Sequence, residues 1–117
     1  MSELKVTPDK YLPFRYAGAS GDFNPIHLDP ELAKAAGFPS NILHGLWSMA
    51  QVARAAVEAG GGDPRKLKRL SVQFRGIGLP GEEIVITATE MGNGVLDLVA
   101  RQGDREIVKN AEAELTE

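Results

Sequence analysis

A carboxylate, an amide and an imidazole stand within six residues at Asp22, Asn24 and His27, inside the stretch Ser20-Gly21-Asp22-Phe23-Asn24-Pro25-Ile26-His27. A carboxylate and an imidazole brought together can hold one water, or one substrate proton, between them and move protons in both directions. The stretch reads as a rigid loop, not as regular structure. Gly21 opens backbone angles closed to other residues. Pro25 fixes its own φ and drives Asn24 away from helical angles. Asp22 and Asn24 favour side-chain bonds to nearby backbone, which stabilise turns. Ser20 and Asn24 are read as supports of the loop, Asp22 and His27 as the groups it aims. On residue types alone a second reading stands beside this one: Asp-x-Asn-Pro is also an ordinary turn, and His27 can be a hydrogen-bonded structural histidine.

The segments on either side must position that loop. Leu4 to Val6 reads as a short edge strand. Thr7-Pro8-Asp9 is a helix-start signal, with Thr7 as cap and Pro8 opening a helix that runs toward Ala19 and is interrupted at Pro13. Asp29-Pro30-Glu31 repeats the signal for a short helix over Leu32 to Ala36, which Gly37 stops. The longest helix is expected from Gly45 to Ala59. Its polar residues Ser48, Gln51, Arg54 and Glu58 form a narrow stripe and its other sides are apolar, so it is expected to be largely buried. From Lys68 the period changes to two. Leu70, Val72 and Phe74 alternate with polar neighbours, and strands follow over Glu83 to Met91, Val95 to Arg101 and Glu106 to Leu115. Gly92-Asn93-Gly94 marks a tight hairpin. Helices followed by a run of antiparallel strands make an α+β chain.

The 117 residues fit one domain, 1–117, that buries roughly two-thirds of its unfolded surface. Charged residues are 25% and apolar residues 43%, as in ordinary globular chains. A net charge of −3 gives no global basic field for nucleic acid, so no nucleic-acid partner is expected. The absence of cysteine excludes disulfides and thiolate nucleophiles and fits a cytoplasmic protein. No apolar run reaches membrane-spanning length, so no membrane partner is expected either, and Met1 to Val6 holds no apolar export region. Arg65, Lys66, Lys68 and Arg69 form a basic cluster, read as solvated surface or as a contact for phosphates or an acidic partner.

The run from Tyr16 to His27, followed by Ala33, resembles the hydratase motif of the MaoC-like family, and Ile42-Leu43-His44-Gly45-Leu46 is similar to the His-Gly that opens that family's central helix. The two blocks stand in the family's order, and the likeness continues through the later strands. One departure is a short segment between Leu28 and Leu43, where some relatives carry an insertion over the substrate. The resemblance implies a hot-dog fold, an antiparallel sheet wrapped around a long central helix. It implies (R)-specific enoyl-thioester hydratase or 3-hydroxyacyl-thioester dehydratase activity, with coenzyme A or acyl carrier protein carrying the acyl group. It implies a dimer, either a homodimer or a heterodimer with another hot-dog chain. The alternative is a non-catalytic subunit that completes the acyl tunnel of a heteromeric dehydratase.

On that reading Asp22 is the main base toward water and His27 its partner in the proton shuttle. Gly45, at the start of the buried helix, offers backbone N–H to the thioester oxygen, where the helix dipole is positive. His44 reads as structural. Asp22, His27 and His44 are metal-ligand types, but hydration of this kind needs no metal, so no metal and no cofactor are expected.

Overall fold

A computed structural model describes residues 2–116. Its five strands are β1 (Ser2–Val6), β2 (Leu67–Phe74), β3 (Ile84–Gly92), β4 (Val95–Gln102) and β5 (Arg105–Leu115), with helices α1 (Leu12–Ser20), α2 (Pro25–Leu28), α3 (Pro30–Ala35) and α4 (Gly45–Ala59). The strands form one sheet in the order β1-β3-β4-β5-β2, every pair antiparallel. The sheet curves around α4, the hot-dog arrangement. Among the described residues no helix is long and apolar enough to cross a membrane.

Alternation builds the sheet. Ile84, Ile86 and Ala88 of β3 and Leu96, Leu98 and Ala100 of β4 are all buried on the face toward α4. The β3–β4 hairpin turns at Asn93 and Gly94, both at positive φ (56° and 76°), the backbone that suits the twist of paired strands. In β5 one extra residue lies near Asn110, which has φ 51°. Leu98 faces Ala111 while Ala100 faces Val108, so two steps on β4 meet three on β5. This bulge changes parity, and both Val108 and Ala111 point inward.

The Gly45–Ala59 helix has the expected bounds but not the expected faces. Trp47, Ser48, Val52, Ala55 and Ala56 are buried against the sheet. The small residues let the strands approach closely. Leu46, Ala50, Arg54 and Glu58 face outward, with Leu46 66% exposed. The helix is therefore half-buried, and Ser48 sits on its inner side. The sheet covers one side only, and that placement, not the polar spacing, fixes which stripe is wet.

The start of α1 also differs from expectation. Thr7 and Pro8 precede the helix. Asp9 organises the entry instead, accepting from Tyr11 N–H at 2.9 Å and pairing with Arg15 at 3.0 Å. The Arg15 guanidinium holds the Asp9 carboxyl below its ordinary range. Pro13 falls in the first turn, where a missing N–H costs nothing, so it opens the helix and does not interrupt it.

Candidate active site

Three side chains lay the path out of α1. Gly21 caps that helix at φ 81°, its N–H reaching Ala17 carbonyl at 2.8 Å. Ser20 Oγ then accepts from Asp22 N–H, Asp22 Oδ1 from Asn24 N–H and Asn24 Oδ1 from Ile26 N–H, each at 3.2 Å. Ser20 and Asn24 are thus supports of the loop, and Asp22 itself spends one oxygen on it. The segment is not wholly irregular. Asn24 caps the single helical turn α2, and Pro25 opens it. These are the ordinary signals for a helix start, and they outweigh the loop reading here.

That turn carries His27 inward. Its Nδ1 lies 2.9 Å from the Ile42 carbonyl. A carbonyl only accepts, so the proton sits on Nδ1 and Nε2 is left to face the site. Asn41 Nδ2 donates to the His27 carbonyl at 2.9 Å, and Ile42 N–H to the Ile26 carbonyl at 3.0 Å. The segment entering α4 therefore clamps α2 on both sides. Asp22 Oδ2 stands 3.7 Å from His27 Nε2, the carboxylate 53% exposed and the ring 11%. The spacing is too long for a direct hydrogen bond and suits a shared third atom.

Gly45 is the first residue of α4 and is exposed. His44 precedes it as the cap residue, but its side chain makes no capping bond. The first N–H groups of α4 have no partner within the helix and point outward at its positive end. A cleft of about 160 Å³ brings His27 and Gly45 together with Ser48, Phe74, Gly76 and Gly78. A Cβ on Gly45 would lie 3.3 Å from Phe74 Cε1, so any larger residue there narrows the cleft.

A family model described as "MaoC like domain" matches residues 1–113. The chain belongs to the MaoC-like family. It is 41% identical over 90 residues to "Enoyl-CoA hydratase 2, peroxisomal" of Arabidopsis thaliana, an alignment that covers 76% of this chain and 27% of the plant protein. A MaoC-like dehydratase from Phytophthora capsici superposes with a TM-score of 0.91 at 34% identity, over 99% of this chain and 42% of that one. The (R)-hydratase from A. caviae shares the fold, with a TM-score of 0.76 at 24% identity, over 98% of this chain and 93% of that one. The MaoC-like chain thus spans about a quarter of the curated plant relative it matches.

Three residues of this MaoC-like site carry little signal in the sequence. Ser48 reads as part of a wet stripe, yet it is 7% exposed and lines the cleft. Its place one turn beyond Gly45 is the only hint. Phe74 reads as core but is half-exposed over Gly45. Asn41 is buried by a contact with His27 across the fold, and no spacing announces that.

Asp22, His27 and His44 each offer an atom within 4.8 Å of the others. The two imidazoles stack, however, with centroids 4.0 Å and planes 23° apart. In-plane lone pairs of stacked rings run side by side and do not converge on one ion. His44 Nε2 is also committed to the Asp22 carbonyl at 3.0 Å. The set fits a hydrogen-bonded acid–base pair better than a metal centre. The basic cluster is largely spent within the chain. Arg65 pairs with Asp63, Lys68 with Glu114, and Arg69 with Glu112 and Glu114.

Proposed function

We propose that this chain adds water to trans-2-enoyl thioesters to give (3R)-hydroxyacyl thioesters, or runs the reverse dehydration. The observation that supports this most is Asp22 Oδ2 facing His27 Nε2 at 3.7 Å, in a fold where His27 and the open start of α4 share one cleft. A water held between the two groups gives a proton to Asp22 as its oxygen bonds C3. Electrons move through C2 to the thioester oxygen, and the N–H groups at Gly45 stabilise the charge that develops there. That proton passes from Asp22 to His27 Nε2 and from there to C2. Asp22 is then a carboxylate again and His27 the Nδ1–H tautomer, so the site is restored. Because both groups stand on one side of the alkene, the addition is syn. The chemistry asks for no metal and no cofactor, only coenzyme A or acyl carrier protein as acyl carrier.

The working unit is a dimer on this reading, with a second copy or another hot-dog chain. Phe23, Leu46 and Phe74 are 60%, 66% and 50% exposed beside Asp22, Gly45 and the cleft, an apolar margin that a partner would cover. The test is an assay of the purified protein with crotonyl-CoA and longer trans-2-enoyl-CoAs, following loss of the conjugated enoyl absorbance, with chiral analysis of the product. The (3R) alcohol is expected. A predominantly (3S) product overturns the proposal. Inactivity of this chain alone, with activity regained beside a second hot-dog chain, assigns it the half-site role.

A further inference from the structure

We propose that His44 is a positioning residue for the Asp22–His27 pair, an inference that rests on the hydratase reading above. Its ring is buried, 2% exposed, and three contacts hold it. Nε2 donates to the main-chain carbonyl of Asp22 at 3.0 Å, which places the proton on Nε2. One ring face stacks on His27. Tyr16 of α1 packs against it with centroids 4.8 Å apart and planes at 60°. Each contact reaches a different element: the loop, α2 and α1. His44 itself stands at the head of α4, beside Gly45.

A polar residue at this position usually caps the helix, and this one does not. Its donor is spent on the loop that carries the carboxylate. Its ring backs the imidazole that carries the proton. Phenylalanine would supply the ring without the donor, and glutamine the donor without the ring. Histidine supplies both, and so ties the acid–base pair to the helix start that receives the thioester oxygen. The bond to the Asp22 carbonyl is the decisive contact, because the exposed loop receives no other hydrogen bond from a buried side chain among the described residues.

His44→Phe and His44→Gln separate the two contributions, assayed with a trans-2-enoyl-CoA well below either variant's melting temperature. Misplacing reacting groups by an ångström can cost on the order of 10² in rate, so His44→Phe is expected to lose about that much kcat with KM changed by no more than about threefold. His44→Gln retains the donor and is expected to keep the larger kcat. A residue that merely fills space predicts the reverse order, since the ring-shaped replacement packs better. Phenylalanine equal to or better than glutamine in kcat overturns the proposal. Wild-type protein inactive on every enoyl thioester, both alone and beside a second hot-dog chain, sinks the hydratase reading instead. The side-chain 15N spectrum then carries the test without any assay. It is expected to show His44 protonated on Nε2 and His27 on Nδ1. A His44 proton on Nδ1 overturns the proposal, whether or not the variants fold.

Discussion

At its C-terminal end α4 closes on itself. Gly60 N–H returns to Ala56 and Val57, Gly61 N–H to Glu58 and Gly62 N–H to Val57 at 2.9 Å, with Gly61 at φ 102°. At its N-terminal end the cap residue turns its side chain away and Gly45 lies open. The larger hollow, about 260 Å³, belongs to the closed end, between Gly60, Leu115 and the β3–β4 hairpin. Among the described residues Glu90 is the only titratable one lining it. The smaller cleft, about 160 Å³, belongs to the open end and contains His27. Volume alone would select the closed end. Oriented donors without partners, beside an acid–base pair, select the other.

Substitutions at the two ends should separate chemistry from stability. The largest effect is expected at Asp22. Asparagine can still accept the Asn24 N–H, so Asp22→Asn keeps the loop. Steady-state kinetics should show a kcat loss on the order of 10² or more with little change in melting temperature. Near-normal turnover would remove Asp22 from the mechanism. At Gly45 a methyl meets the Phe74 ring at 3.3 Å and intrudes where the proposed mechanism places the thioester oxygen. Gly45→Ala should lower kcat/KM by about tenfold, equivalent to roughly 1.4 kcal/mol of transition-state binding. Glu90→Gln, in the hollow at the closed end, should leave both constants unchanged within error. A drop there comparable to Gly45→Ala would erase the contrast between the ends.

Gly60→Ala reverses the pattern. Its Cβ would lie 2.5 Å from Leu115 Cδ1, the end of a flexible side chain that can swing aside. Denaturant titration should show a cost of about 1 kcal/mol at most, with kcat intact. The smallest effect is electrostatic. Lys68 and then Arg69 hold the exposed Glu114 carboxyl below its ordinary range. A depressed folded-state value means stability present above the unfolded carboxylate pKa and lost as pH falls through the folded one. Glu114→Gln should therefore lower the neutral side of the melting-temperature profile slightly and flatten its acid side, with the two proteins converging at low pH.

The sheet was largely legible because period two survives in β3 and β4, and Asn93-Gly94 announces its own turn. The bounds of α4 followed from a long apolar run ended by three glycines. Its wet stripe did not. Helical spacing tells which residues share a side, and only the position of the sheet tells which side is covered. Thr7-Pro8 failed as a start signal because Asp9, two residues on, holds the backbone of Tyr11. Asp22, His27 and Gly45 were readable as types in a turn-rich stretch and at a helix start. The clamp around them was not. Ile42 and Asn41 grip His27 through bonds that join residues 15 and 14 positions apart, and such pairings leave no local periodicity. The bulge at Asn110 was equally silent, since it shows only in the pairing of β5 with its neighbours.

The most direct test of the central claim is hydration of a trans-2-enoyl-CoA in deuterium oxide, with the relative configuration at C2 and C3 of the product read by NMR. Asp22 and His27 stand 3.7 Å apart, and the proposed mechanism puts both on one side of the alkene. Deuterium is expected at C2 syn to the new hydroxyl, on a carbinol of R configuration at C3. Anti addition would require the proton and the hydroxyl to arrive from opposite faces, which this pair cannot deliver, and would contradict the assignment of Asp22 and His27 together.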